Sequence, residues 1–396
     1  MKKVSSDQQI PPFVCRTLFG LPPLGKHIGL LLICFFSLSQ AFSWGFWAHQ
    51  RINRLAVFTL PPEMVGLYKQ NLDYLTEHAV DPDKRRYAVD GEAPKHFIDI
   101  DHYGTFPFAN VPRNWDDAVA ALTEDTLLAY GILPYQLPRE FYKLKRAFED
   151  KNLALILKYS ADIGHYIGDA HVPLHTTENY NGQMTGQKGI HGFWESRLPE
   201  LYGENYDFFV GRSYFIDDIY AEGWEAVLES HQALDSVLQM ERMLTIEFPS
   251  DKKYSYESRN SYTLRVYSRD FARAYHEEMD GMVERRMRRA IRRIGSYWYT
   301  AWKAAGSPDL SELSGIELPV VEEQYEQRLN IVDREALGTQ WLFAPSCCMH
   351  PPKGRPMGWK RTVACVPPPV APMETAKAPW WKRLWKWLGA EVQELW

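Results

Sequence analysis

Cysteine is the first thing this chain goes without where it matters. Its 5 cysteines are Cys15, Cys34, Cys347, Cys348 and Cys365, so none falls between Trp44 and Ser346. The central part is therefore not a disulfide-held scaffold, and its core has to rest on packing. Long apolar runs are missing too. The run near the front, "IGLLLICFFSL" (Ile28–Leu38), is too short to cross a bilayer as a helix. Charge of one sign is not in excess: 45 bases face 50 acids, for a net charge of −5. That balance excludes a polybasic coat for nucleic acid or membrane. No stretch sustains period-two alternation and no hairpin signal stands out, which leaves little room for a sheet. What is present is 45% hydrophobic and 14% aromatic residues, enough for a sizeable core in a soluble globular protein.

The front end reads as export machinery. Lys26 and His27 precede the apolar run, and Ala41 and Ser43 occupy the small-residue positions ahead of a cut. We expect a signal peptide over residues 1–43 and an exported protein, periplasmic or extracellular; the alternative is an uncleaved anchor. Cys34 follows Ile33 rather than a small residue, which argues against lipid attachment. Losing the leader removes more bases than acids, and bound divalent cations would offset part of the remaining negative charge.

From Trp44 to about Ser307 the periodicity is helical. "AHQRINRLAVF" puts Ile52, Leu55 and Ala56 on one face and stops at Pro61-Pro62. Further apolar-periodic runs begin at Asp116, at Asn152 (ended by Pro173) and at Ala221. The last carries Val283, Met287, Ile291, Ile294, Trp298 and Trp302 at spacings of three or four. The expected fold is all-α: a single-domain multi-helix bundle over residues 44–307. Residues 308–344 read as a C-terminal extension. Residues 345–379 hold 9 of the 26 prolines, which marks a linker. Residues 380–396, "WWKRLWKWLGAEVQELW", form an amphipathic Trp-rich helix, suited either to peripheral membrane contact or to docking on protein. No obligate protein partner is evident.

Chemistry concentrates in two motifs. In "HYIGDAHVPLH", His165 and Asp169 are four apart, so one helix face presents both; His175 follows Pro173. In "GIHGFWE", His191 and Glu195 repeat that spacing. Upstream, "HAVDPDKRRYAVDGEAPKHFIDID" supplies Asp81, Asp83 and His96. Imidazoles mixed with carboxylates, without thiolate, suit catalytic zinc. The alternative is a set of core histidines satisfied by acids, which is costly when so many ionisable groups are buried together without a cation.

These motifs, with a tryptophan exposed by leader removal, resemble the superfamily of zinc-dependent phospholipases C and single-strand-specific zinc nucleases (S-one/P-one type). The resemblance runs from about Trp44 to Ser307. It implies a tri-zinc site. Trp44 would bind the first zinc through its α-amine and carbonyl, together with His49 and Asp169. Asp169 would bridge to a second zinc held also by Asp81, His96 and His165. The third would take His175, His191 and Glu195. Asp83 competes with Asp81 for its place; the 15-residue distance from Asp81 to His96 resembles the nuclease branch. His171 lies off the shared face and is expected either to support a ligand from behind or to be structural.

The resemblance implies a phosphoric ester hydrolase, with hydroxide between a bridged zinc pair attacking phosphorus. Asp81 and Asp169 are then the catalytic candidates. Lys84, Arg85 and Arg86 are candidate phosphate clamps, or a solvated charged turn. Phe97 and Asp99 match the place where the nuclease branch holds a base, and a Phe there is also ordinary packing. Asn179 and Asn181 either touch phosphate or shape a turn. The run "ERRMRRAIRRIG" reads as a solvated helix face rather than a nucleic-acid stripe. Spacing favours a nuclease or 3′-nucleotidase acting on single-stranded nucleic acid. Glu195 in place of Asp, and the short loop from His175 to His191, favour a phospholipase C cleaving phospholipid headgroups. A different class altogether is a non-catalytic, zinc-stabilised, membrane-associated binding module.

Overall fold

A computed structural model describes residues 45–259 and 262–316. The expected leader, Trp44, and the Pro-rich and Trp-rich segments of the C-terminal part lie outside the described residues. The first helix is α1 (Phe46–Ala56). Pro61-Pro62 ends that stretch, and Pro62 opens α2 (Pro62–Gln70), where a missing N–H costs nothing. Then come α3 (Leu72–Glu77) and the one-turn α4 (Asp81–Arg85). The apolar run from Asp116 is not one helix but three: α5 (Trp115–Leu122), α6 (Glu124–Tyr130) and α7 (Leu133–Glu149). The breaks fall at Thr123 and Gly131, both at positive φ, a conformation that ends a right-handed helix.

The centre of the molecule is α8 (Leu153–Ala170), where every residue except Lys158 is buried. A helix buried almost all round has to be surrounded, and α1, α7 and two later helices, Ile219–Glu247 and Met282–Ala304, pack on it. Two glycines set the closest of these approaches. A Cβ at Gly164 would stand 2.0 Å from Oδ1 of Asn53 on α1, so only glycine lets the two helices meet there. Asn53 then donates to the His49 carbonyl at 3.0 Å.

Beyond α8 lie α9 (Ile190–Gly192), a π turn (Phe193–Arg197) and α10 (Leu198–Tyr202), without a break. They are followed by α11 (Ile219–Glu247), α12 (Arg269–Glu278) and α13 (Met282–Ala304). Buried Trp298 on α13 donates to the Ser160 carbonyl at 3.0 Å, tying it to α8. Burying an aromatic of that size contributes roughly 1.5–3 kcal/mol. The fold is all-α but for one feature the sequence did not signal. Strands β1 (Tyr254–Arg259) and β2 (Tyr262–Tyr267) pair antiparallel, with Tyr254 opposite Tyr267. No helix among the described residues is long and apolar enough to cross a membrane.

Candidate metal centre

Three elements meet at Asp169, near the end of α8. From α1, Nε2 of His49 lies 3.3 Å from Asp169 Oδ1. From the turn Ala93–His96, His96 Nδ1 lies 3.0 Å from the other oxygen, Oδ2. His165, one helical turn back on α8, places Nε2 3.3 Å from the same Oδ2. One carboxylate thus offers each of its two oxygens to a different set of imidazoles. Nearby, His175 and His191 bring Nε2 to 3.3 and 3.0 Å from Glu195 Oε2. The segments carrying His96 and His175 are locked by a pair of backbone contacts. His175 Nδ1 donates to the His96 carbonyl at 2.5 Å, and Ile98 N–H donates to the His175 carbonyl at 2.9 Å.

The spacing favours Asp81; the geometry favours Asp83. Asp83 is buried, with Oδ1 3.7 Å from both His96 Nδ1 and His165 Nε2. Asp81 points away and is held by His78 at 2.5 Å and Lys84 at 2.7 Å. On a helical turn two residues are about 200° apart, so both cannot face inward. Lys84 is thereby occupied. So is Arg85, which pairs with Asp162 at 3.2 Å and Glu92 at 3.5 Å. Arg86 is the cation of this segment that acts electrostatically on both Asp83 and His96.

The donor set fits a divalent cation. His165, His175 and His191 each spend Nδ1–H on a backbone carbonyl: Ala79 at 2.9 Å, His96 at 2.5 Å and Tyr180 at 3.0 Å. That fixes the tautomer and leaves the Nε2 lone pair facing the cluster. His165 Nε2 and His96 Nδ1 then stand 3.1 Å apart. Asp83 Oδ2 and Glu195 Oε1 are buried and make no hydrogen bond. Such groups call for a cation between them. Zinc at about 2.0–2.1 Å from each nitrogen in tetrahedral geometry separates its ligands by roughly 3.3 Å, and the contacts here run from 3.0 to 3.7 Å. Among the described residues, three clusters have ligand atoms within 4.8 Å of one another: His49, Asp83 and His165; His96, His165 and Asp169; His175, His191 and Glu195.

The charges tell the same story. Burial pushes the Asp83 carboxyl up to about 7, helped by the charges of Asp169 and Glu195 against the pull of His165. Burial pulls the His165 imidazole down, but Asp169 and Asp83 outweigh it and raise the group to about 9. Without a metal this cluster holds protons that a divalent ion would displace.

The remaining candidates fall into place around it. His171 is structural: its Nδ1 donates to the Ile167 carbonyl at 2.7 Å and its Nε2 accepts from Arg293 at 3.1 Å. Two arginines of the α13 run therefore face inward, against the expectation of a solvated face. Arg286 and Arg293 are buried, bound to Glu229 and Glu222 on α11. Asn179 and Asn181 shape the loop, accepting from Met184 N–H at 2.8 Å and Gly189 N–H at 2.9 Å. Phe97 and Asp99 are half-buried. Burial pushes Asp99 up to about 7, with Asp101 and Glu178 adding to it and His175 opposing. The glycine contacts of α8 and the carbonyl anchors of the rings were legible in no motif, although Gly168 stands inside one and Gly164 just ahead of it.

No protein-family model matches the chain, and no curated protein does. Among solved structures the chain is similar to "Alpha Toxin from Clostridium Absonum", at 14% identity and a TM-score of 0.39. The similarity covers 66% of this chain and 65% of the toxin's, so the chain spans less than two thirds of that protein.

Proposed function

We propose that this chain is a zinc-dependent hydrolase of phosphoric esters. The observation that carries the reading is Asp169, whose Oδ1 faces His49 and whose Oδ2 faces His96 and His165. A carboxylate shared in this way suits a two-metal site, and the His175, His191 and Glu195 cluster offers a third. Zinc bound there would supply Lewis acidity and a bound water with a pKa of about 7. The chain's own residues do the positioning. Backbone carbonyls hold the rings, Asp169 offers one oxygen to each of two sets of imidazoles, and Arg86, whose charge acts on Asp83 and His96, would hold a phosphoryl oxygen.

For the substrate, the spacing-based reading is single-stranded nucleic acid or 3′-nucleotides. One observation favours the second reading, a phospholipase C acting on headgroups. The charges of Asp101 and Glu178 act on the half-buried Asp99 carboxyl, with His175 opposing them, and acids grouped in this way would repel a polyanionic strand and attract a cationic headgroup. Export and peripheral membrane contact through residues 380–396 belong to this proposal as well. The test is hydrolysis of single-stranded DNA, RNA, 3′-AMP and phosphatidylcholine by the zinc-loaded protein, with and without chelator. Activity on one of these that chelator abolishes is expected; hydrolysis that resists chelator would exclude the zinc reading.

A further inference from the structure

Glu195 sits in the middle of a π turn, Phe193–Arg197. Such a turn is rare and poorly self-supporting, and tends to occur where a side chain has to be re-aimed. Its support comes from the β1–β2 hairpin. Two residues after Glu195, the buried guanidinium of Arg197 forms a two-pronged contact with Glu257 on β1. Nη1 reaches Oε2 at 3.0 Å and Nη2 reaches Oε1 at 2.5 Å. Two residues before Glu195, the Phe193 ring stacks on Tyr267 of β2, with centroids 4.0 Å apart and planes 20° from parallel. The hairpin grips the turn on both sides of the ligand.

The same hairpin reaches the other arm of the cluster. Glu241 on α11 is buried, and both of its oxygens are used. Oε1 takes Lys253 at 2.6 Å and the Tyr267 hydroxyl at 3.1 Å. Oε2 takes Gln187 at 2.6 Å, on the loop that leads into His191. The Gln187 amide also donates to the Leu238 carbonyl at 2.7 Å.

We propose that the hairpin is the positioning element of the His175, His191 and Glu195 subsite, with Glu257 and Arg197 as positioning residues that aim Glu195 without touching the ion. The proposal rests on the zinc reading above. A bidentate guanidinium–carboxylate pair fixes direction as well as distance, and a ligand displaced by about 1 Å is enough to spoil a site.

The test is metal affinity of the full chain, by chelator competition with zinc and by the visible spectrum of the cobalt-loaded protein. Glu257→Ala should weaken one ion by about 10–100-fold, the range for outer-shell partners of metal ligands, with the other clusters unchanged. Glu257→Gln, which keeps the length and one hydrogen bond, should restore part of the loss. His191→Ala, a direct ligand change, should remove the same ion. If His191→Ala loses an ion that Glu257→Ala keeps at full affinity, the hairpin is mere packing and the proposal falls alone. It also falls if Glu257→Ala weakens all ions together as the melting temperature drops. If the unaltered protein holds no ion that His191→Ala removes, the zinc reading fails and takes this proposal with it.

Discussion

Gly168 lies directly beneath the ring of His49: a Cβ at 168 would stand 3.0 Å from both Nδ1 and Cε1 of that imidazole and 2.9 Å from Ile52 Cδ1. Helix packing and ligand placement are thus one contact. Gly168→Ala should cost about 1–3 kcal/mol through overpacking and, on the proposed zinc reading, should also weaken the ion assigned to His49. Thermal unfolding with and without zinc separates the two effects. If the variant loses stability but keeps its zinc affinity, the contact is packing only.

Asp83 and Asp81 provide a test by contrast. Asp83→Asn should lower activity by about 100-fold or more and release zinc, since a buried carboxylate of the cluster is lost. Asp81→Asn removes only partly exposed pairings with His78 and Lys84, of a kind that contributes about 0–1 kcal/mol. It should leave turnover within a few-fold of the unaltered protein. The reverse ranking in paired kinetic and zinc measurements would return Asp81 to the site.

Asp169→Asn should have the largest single effect, because one neutral amide oxygen cannot bridge two cations. Zinc counting should show loss from both inner clusters while the His175, His191 and Glu195 ion remains. Loss of a single ion would show that the carboxylate does not bridge.

The resemblance assigns the α-amine of Trp44 to the first zinc, and Gly45, the first described residue, packs against Ser196 beside Glu195. One extra residue ahead of Trp44 should weaken the ion shared with His49. Full zinc occupancy and full activity in such a variant would falsify that assignment.

Acid stability has its own marker. Burial would raise the Asp162 carboxyl, but Arg85 and Lys158 outweigh it and hold the group below the usual carboxylate range. A depressed carboxylate stabilises the fold above its unfolded pKa, about 3.9, and that stability is lost as pH falls towards the folded value. Asp162→Asn, which removes one carboxylate from the surroundings of Arg85 and Lys158, should cost about 1.5–3 kcal/mol at neutral pH. The penalty should shrink as pH falls from about 4 towards the depressed folded value, because the unfolded Asp162 then takes up a proton that the folded carboxylate still resists. Melting curves across that range would show it; a penalty independent of pH would count against the ion-pair account.

Much of the all-α bundle is legible in the sequence because helical periodicity is local. The stripe from Val283 to Trp302 and the near-continuous apolar run of α8 need no tertiary information to read. The hairpin was missed because Tyr254–Tyr267 carries polar and aromatic residues that alternate weakly; its stability comes from what Tyr267 and Glu257 pack against. The breaks at Thr123 and Gly131 were missed because the apolar pattern runs on across them.

By itself the sequence determined which residue pairs share a face. His165 with Asp169 follows from the rise and turn of an α-helix, which covalent geometry sets; the spacing also pairs His191 with Glu195, but across a π turn that packing supports. Only the tertiary structure decided which way the short α4 turn faces, and so put Asp83 inward and Asp81 against Lys84. It also decided which cations are already engaged: Arg85 by Asp162, Arg286 and Arg293 by the acids of α11. The reason is physical. The rotation of a one-turn helix and the partner of a long charged side chain are set by what packs on them, and those contacts come from residues far away along the chain.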